Sequence, residues 1–496
     1  MRKCGILLPV SSLPSEHGIG TFGIEAYNFI DFLKLAKQSY WQVLPLGPTS
    51  YGDSPYQSFS SFAGNPYFID LNILKEENLL ENDDLCEISK LVGNVDYGAQ
   101  YYYRFNILRK AYSKFEKTKE YKDFIKKNSY WLDDYALFMT LKKQHDDKSW
   151  NNWDNDYKFY NKKVLSKFYK ENEYDVDFWK FIQFEFNKQW SKLKQYANKN
   201  DIEIIGDIPI YVAYDSADVW SNVTEFQLNE DLEPIDVAGC PPDAFCEDGQ
   251  LWGNPLYNYK LMKENNYSWW VKRMNKASEL YDVVRIDHFR GFEAYYSIPF
   301  GSINAKVGKW KKGPGYDLFK TIEQEVPNVK IIAEDLGFLT EGVYKLLKRT
   351  GYPGMKILEF AFDLKGDSEY MPHNYTPNCV VYTGTHDNLP LRAWYNELTE
   401  EEKHYVREYL MLIDESKVCD SMIRIALASI ANYAIIPLQD YLGLGVEARI
   451  NTPSTAEGNW TYRIKKEYIS DELALYIAFL TKLYRRTTIE DEEKTM

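Results

Sequence analysis

Short apolar runs alternate along the chain with longer stretches whose apolar residues recur every three or four positions. GILLPV (5–10) and WQVLPL (41–46) are runs of the first kind. Between them AYNFIDFLKLAKQ (26–38) places Ala26, Phe29, Ile30 and Leu33 on one helical face. Strand, helix, strand predicts a parallel crossover unit. The alternation resumes after residue 200. EIIGDIPIYV (203–212), VVRIDHFRG (283–291), KIIAEDLG (330–337), MKILEFAF (355–362), CVVYTGTHDN (379–388) and YAIIPLQDYL (433–442) are the further strands. WWVKRMNKASELY, LFKTIEQEV, VYKLLKRT and the stretches 400–412, 420–433 and about 471–486 read as helices. Eight buried strands alternating with helices predict an α/β fold, a (β/α)8 TIM barrel. A doubly wound open sheet is the rival, but its phosphate-binding turn is missing.

Three stretches depart from this rhythm. Residues 70–200 are almost wholly helical in period and predict an inserted helical subdomain. Residues 213–268 predict a long, ordered active-site loop region, because CPPDAFCEDGQLWGNPLY (240–257) is dense in turn formers. Residues 47–69 mix Gly, Pro, Ser and Asp with Tyr51, Tyr56, Phe59 and Phe62, which predicts an aromatic loop after the second strand. With these as insertions, residues 1–496 read as one catalytic barrel domain. GIGTFG (18–23) spells G-x-G-x-x-G but is a decoy. SSLPSEH separates it from the first strand, and the second strand ends in Pro45, Leu46 and Gly47 rather than in an acid.

Charge and composition narrow the partners. The net charge of −14 repels nucleic acid and anionic lipid. The 41 Tyr, 26 Phe and 13 Trp fill a core first, and they also supply flat faces on which sugar rings stack. Six scattered cysteines without a C-x-x-C predict reduced thiols in a cytoplasmic protein. The opening MRKCGILLPVSSLPS has too short an apolar run for a signal peptide, and no stretch approaches membrane-spanning length.

The candidate chemistry gathers where strands end in charge. In VVRIDHFRG, Arg285 and Asp287 are two apart and share a strand face, so the cation is expected to lower the acid's pKa. An ion pair closing a strand end would give the same residues. Asp287, Glu334 and Asp387, however, all terminate predicted strands, and the C-terminal mouth of a barrel is where active sites form. Carboxyl groups flanking a glycosidic bond are the machinery of glycoside cleavage, one attacking the anomeric carbon and one protonating the departing oxygen. Whether Glu334 or the adjacent Asp335 faces inward is open at this stage. Trp252, between Gln250 and Asn254, suits a sugar-contacting edge. His386 reads equally as a core histidine. The six histidines include no H-E-x-x-H, so no metal or other cofactor is expected. No G-x-S-x-G elbow is present for a serine nucleophile.

SSLPSEHGIGTFG, LPLGPTSYGDSPYQSFSSFAGNP, GDIPIYVAYDSADVW, PPDAFCEDGQLWGNPLY, RIDHFRGF, IIAEDLG and TGTHDN together resemble the 4-α-glucanotransferases (amylomaltases or disproportionating enzymes), in order and over nearly the whole chain. The resemblance is to the compact bacterial form. It implies retaining transfer of an α-1,4-glucan segment to the 4-OH of glucose or a glucan, without a cofactor. Asp287 would be the nucleophile, Glu334 the acid/base and Asp387 the stabiliser. Tyr51, Tyr56, Asp207, Trp252, Arg285, His288, His386 and Asn459 would bind substrate. The implied partners are maltooligosaccharides, α-1,4-glucans and glucose, with no nucleic acid or membrane and a monomeric chain. Loops 47–62 and 240–257 are expected to close over the site and limit water. The departure is Ala244, where the family commonly carries an aromatic residue after PPD. An amylase-like hydrolase and a non-catalytic glucan-binding protein are the alternatives, the second disfavoured because all three acids are present.

Overall fold

The computed structural model describes residues 2–487 except 243–246, 338, 365, 367 and 456; the side chain of Tyr51 is also outside the described set. Eight strands form the central sheet: β1 (Lys3–Leu7), β2 (Tyr40–Gln42), β3 (Glu203–Ile208), β4 (Val283–Ile286), β5 (Lys330–Ala333), β6 (Gly354–Ile357), β7 (Cys379–Tyr382) and β8 (Tyr433–Pro437). Their spatial order, β6-β7-β8-β1-β2-β3-β4-β5, is chain order wrapped round a ring, and every pairing is parallel. The two ends of the sheet meet. The Ala333 N–H of β5 donates to Pro353 O at 3.0 Å, and the Met355 N–H of β6 donates to Asp335 Oδ1 at 2.6 Å. With helices between successive strands, reduced to 3-10 turns between β6 and β7, this is the (β/α)8 barrel.

The β-branched runs form strands because their stiff side chains pack well on a pleated surface covered on both faces. Val284, Ile286, Ile331, Ile332, Val380, Val381, Ile435 and Ile436 are all buried. The strands are shorter than the apolar runs predict. The runs 41–46, 203–212, 355–362, 379–388 and 433–442 leave the ladder at Gln42, Ile208, Ile357, Tyr382 and Pro437. Pro45, Pro209 and Pro437 lack the N–H a ladder needs. After β6 and β8 the apolar run continues directly into helical turns, Leu358–Phe362 and Leu438–Tyr441. Apolarity alone does not separate a strand from a buried turn that follows it.

From Leu71 to Lys199 the chain is largely helical, with Tyr97–Lys114, Lys119–Gln144 and Glu173–Lys199 the longest elements. Much of the aromatic content is packing here: Phe115 meets Phe181 at 4.8 Å and Phe105 meets Trp179 at 5.5 Å between ring centroids. Trp190 of the last helix donates its indole N–H to Leu280 O at 3.0 Å, tying these helices to the barrel.

The region read as irregular contains strands. Gln250–Pro255, Asp236–Cys240, Ala294–Pro299 and Lys309–Lys312 form a four-stranded antiparallel sheet, in that spatial order. Short strands interrupted by Gly239 and Gly253, with a register shift between Val237 and Gly239, leave no regular alternation to read. GIGTFG packs against the chain's own turns. A Cβ on Gly20 would lie 1.7 Å from Val10 O, and one on Gly23 would lie 2.1 Å from Asp70 Oδ2. Among the described residues, no helix is long and apolar enough to cross a membrane.

Candidate active site

The site is built at the C-terminal mouth of the barrel. Asp207 on β3 pairs in register with Arg285 on β4, so the two side chains stand side by side. Arg285 Nη1 donates to Asp207 Oδ2 at 2.6 Å and to Asp287 Oδ1 at 3.2 Å. The Tyr56 hydroxyl, from the loop after β2, donates to the same Asp207 oxygen at 2.7 Å. Asp207 and Arg285 are buried, whereas the Asp287 side chain keeps 30% of its surface open to the cleft. The guanidinium is thus fixed from behind and holds Asp287 by one edge.

The choice between Glu334 and Asp335 is settled by geometry. Glu334 Oε2 accepts the His288 N–H at 2.5 Å and Oε1 accepts the Leu336 N–H at 2.8 Å. The His288 donor is aimed by a left-handed turn, φ +50°, unusual for a residue with a Cβ. Asp335 points the other way and closes the β5–β6 seam through Met355. Glu334 therefore stands beside the segment that carries Asp287.

Three carboxyl groups, those of Asp207, Asp287 and Glu334, share the field of one guanidinium here. Burial pushes Asp287 well above the usual carboxylate range; Arg285 opposes this, and Glu334, Asp207 and Asp387 add to it. The expectation that Arg285 lowers the Asp287 pKa is corrected: its pull is real but burial outweighs it. Burial also raises Glu334, against Arg285 and the two main-chain donors. The two acids titrate as a pair, which retains a proton where isolated carboxyls have lost it.

Asp387 follows β7 with 45% of its side chain exposed to the cleft. His386 Nε2 lies 3.3 Å from Asp387 Oδ2, and burial lowers the imidazole pKa, favouring the neutral ring. Tyr56 stacks on His386 at 5.1 Å and 15°, and Trp460 lies 5.8 Å from Tyr56 and 5.9 Å from His386. This makes one aromatic wall. Asn451 Nδ2 donates to Asp387 Oδ1 at 2.6 Å, and Arg449 Nη2 donates to Asp387 O at 3.3 Å. Sequence reasoning missed Asn451, Arg449 and Trp460, whose only signal is their position after the last strand.

Trp252 forms the opposite wall, on an edge strand of the small sheet. Its indole N–H donates to Gln250 Oε1 at 2.9 Å, and its ring meets that of His288 edge-on at 4.9 Å and 89°. His288 is pushed down to about 3 by burial and Arg290, so it is a neutral imidazole; its Nε2 is buried without a protein partner among the described residues. The two predicted loops meet where Gln57 Nε2 donates to Asn254 Oδ1 at 3.3 Å.

Two of the substrate-binding candidates stand differently. Asn459 spends its amide within its own loop: Oδ1 accepts the Thr452 N–H at 2.8 Å, and Nδ2 donates to Thr455 O and Oγ1 at 3.0 Å each. Tyr51 begins the short turn Tyr51–Asp53, and its side chain lies outside the described residues, as does Ala244. Among the described residues, no group of three or more His, Cys, Asp or Glu side chains is arranged to hold a metal ion.

A family model described as 4-alpha-glucanotransferase matches residues 8–469. The chain is similar to the 4-alpha-glucanotransferase of Clostridium butyricum, 52% identical over 486 residues, covering 96% of this chain and 99% of that one. The Thermus thermophilus 4-alpha-glucanotransferase is 44% identical over 484 residues, covering 95% and 96% respectively. Among solved structures, the amylomaltase from Streptococcus agalactiae in complex with acarbose superposes with a TM-score of 0.95 at 39% identity, covering 98% of this chain and 100% of that chain.

Proposed function

The chain belongs to the 4-alpha-glucanotransferase family, and from that premise we propose which of its residues carry the family's reaction. Asp287 is the nucleophile, Glu334 the acid and then the base, and Asp387 the group that steadies the oxocarbenium-like transition state. In the first step an Asp287 oxygen attacks the anomeric carbon of an α-1,4-linked glucose. The bond to the leaving oxygen breaks, and Glu334 gives that oxygen its proton. In the second, Glu334 takes the proton from the 4-OH of an acceptor sugar, whose oxygen displaces Asp287 and restores the carboxylate. Two displacements at one carbon return the α configuration.

The observation that carries this reading is the Arg285 bridge, which orients Asp287 toward the cleft beside Glu334. The first step needs Asp287 ionised and the proton on Glu334; the direct Arg285 contact favours the charge on Asp287, against the burial that raises it. Neutral His288 and His386, Tyr56, Trp252 and Trp460 are placed to contact successive glucose rings by stacking and hydrogen bonding. Tyr51 and Asn459 complete the set proposed from the sequence, Asn459 by shaping the loop beside Trp460. The Gln57–Asn254 contact between the two loops supports exclusion of water in favour of an acceptor sugar.

Maltooligosaccharides and α-1,4-glucans are the donors, and glucose is an acceptor. The chain is read as a monomer, with 70–200 an insertion and 213–268 the region that roofs the site. The net charge of −14 supports a partner other than nucleic acid or a membrane surface. Cys4, Cys86, Cys379 and Cys419 are free thiols, which supports a cytoplasmic setting.

The test is incubation with maltotriose followed by chromatography of the products. A ladder of longer maltodextrins with glucose is expected; products that only shorten would replace transferase by hydrolase.

A further inference from the structure

Two buried carboxyl groups lie beneath the loop that carries Asp387 and take no part in the steps above. Glu359 leaves β6 in the turn Leu358–Phe362 and is only 8% exposed. Its main-chain N–H donates to Thr383 O at 3.2 Å, and its carboxyl packs beside the Asn388 side chain over Gly384. It fills the space over Gly384, where a Cβ would lie 3.0 Å from Oε1. Asp440 leaves β8 in the turn Leu438–Tyr441 and is fully buried. Its Oδ2 accepts the Thr383 hydroxyl at 2.5 Å, and its Oδ1 accepts the Leu391 N–H at 2.8 Å. The two acids thus touch residues 383, 384, 388 and 391, the two ends and the bends of the segment whose middle holds His386 and Asp387.

A short relay leads from this floor to Asp387. Asn388 Oδ1 accepts the Thr385 N–H at 2.9 Å and its hydroxyl at 2.8 Å, and Thr385 Oγ1 accepts the Asp387 N–H at 3.3 Å. Arg449 and Asn451 grip Asp387 from the opposite side. A loop held only from that side would be free to tilt about it.

We propose that Glu359 and Asp440 are positioning residues for Asp387, fixing where its carboxylate stands over the cleft. The inference rests on the reading of Asp387 as the stabilising acid. Burial favours the protonated form of both groups. It pushes Asp440 to about 7, and together with Asp440 it drives Glu359 well above the carboxylate range against Asn388 and Arg449. A proton on Glu359 lets the floor stand close to Asp387 without adding a second charge beside it.

The test compares kcat and KM for maltotriose in E359L, E359Q, G384A and D387N, each checked for native circular dichroism and melting. A misplacement on the order of 1 Å is enough for about a 100-fold loss, so E359L is expected to lower kcat by about 10- to 100-fold while KM moves little. E359Q should restore most of that loss, because a neutral amide of the same shape fills the same space over Gly384. G384A presses on the carboxyl from the other side and should lower kcat in the same way; where E359L does not fold, G384A decides. Folded E359L or G384A with wild-type kcat, or a change confined to melting temperature, overturns the proposal. D387N separates the two readings. If it keeps its turnover, the role given to Asp387 is wrong; if it is inactive while E359L is unimpaired, only the positioning is.

Discussion

Replacing Tyr56 by Phe isolates one bond. The Tyr56 hydroxyl donates to Asp207 Oδ2 at 2.7 Å, and burial and Asp207 hold the phenol far above its usual pKa, so it stays a donor at every working pH. Phe keeps the ring that stacks on His386 at 5.1 Å, so the aromatic wall survives. What is lost is a hydrogen bond to a charged acceptor, worth about 1.5–3 kcal/mol. Asp207 Oδ1 already has no protein partner among the described residues, so the carboxylate is left with Arg285 as its one strong contact. The guanidinium is then drawn toward Asp207 and away from Asp287, 3.2 Å on its other side. If the full amount is felt only in the transition state, kcat/KM falls by about 10- to 150-fold, since about 1.4 kcal/mol is a factor of ten. Glucose release from maltotriose measures kcat and KM, and urea unfolding of the same protein measures the share that appears as stability. A variant within twofold of wild type in kcat/KM, with an unchanged urea midpoint, would refute the idea that Tyr56 anchors the Asp207–Arg285–Asp287 chain.

Asp287→Asn should cost at least about a thousandfold in kcat with native melting behaviour, whereas a glucan-binding scaffold would lose nothing, and the same glucose assay decides. Asn254→Ala removes the contact with Gln57 and is expected to raise the ratio of hydrolysis to transfer; an unchanged ratio in product chromatography means the loops exclude water by other contacts. Gly206→Ala would drive a Cβ to within 2.0–2.3 Å of the Tyr281 ring, whose hydroxyl accepts the Leu46 N–H, so a loss of about 1–3 kcal/mol is expected as a lower urea midpoint. Burial raises Asp335 from 3.8 to about 6, so the native state holds a proton the unfolded chain has released; this contribution to stability is full below about pH 4 and fades as pH rises through about 6. The margin of wild type over Asp335→Asn should therefore shrink between those pH values and then level off, and urea midpoints at a series of pH values that show it constant or widening would count against the argument.

The barrel was legible because eight short apolar runs alternate with helical periods, and the three acids because the runs at 283–286, 330–333 and 379–382 are followed by charge. Which acid faces the cleft was not, because residues 334 and 335 are neighbours on opposite faces and only the seam to β6 fixes which face is which. The small sheet was hidden because its central pairing joins residues some sixty positions apart, such as Gly239 with Tyr296, through strands with no clean alternation. Asn451 was hidden because an asparagine in a polar loop carries no periodic signal, while Asn459 entered only through the family resemblance. The direction of the Asp287 shift depends on how deeply the group is enclosed, and a list of neighbours along one strand says nothing of depth.

Glu334 and Asp335 have a joint consequence for the growing polypeptide. Slip the fifth strand by one place and the side chains exchange sides: Glu334, the acid proposed to act on the sugar, would be sent to the joint, and Asp335, which closes the joint, would be sent to the mouth. A misthreaded molecule could then neither complete its ring nor turn over a glucan. Two neighbouring acids, one proposed for the chemistry and one closing the ring, thus depend on the same register.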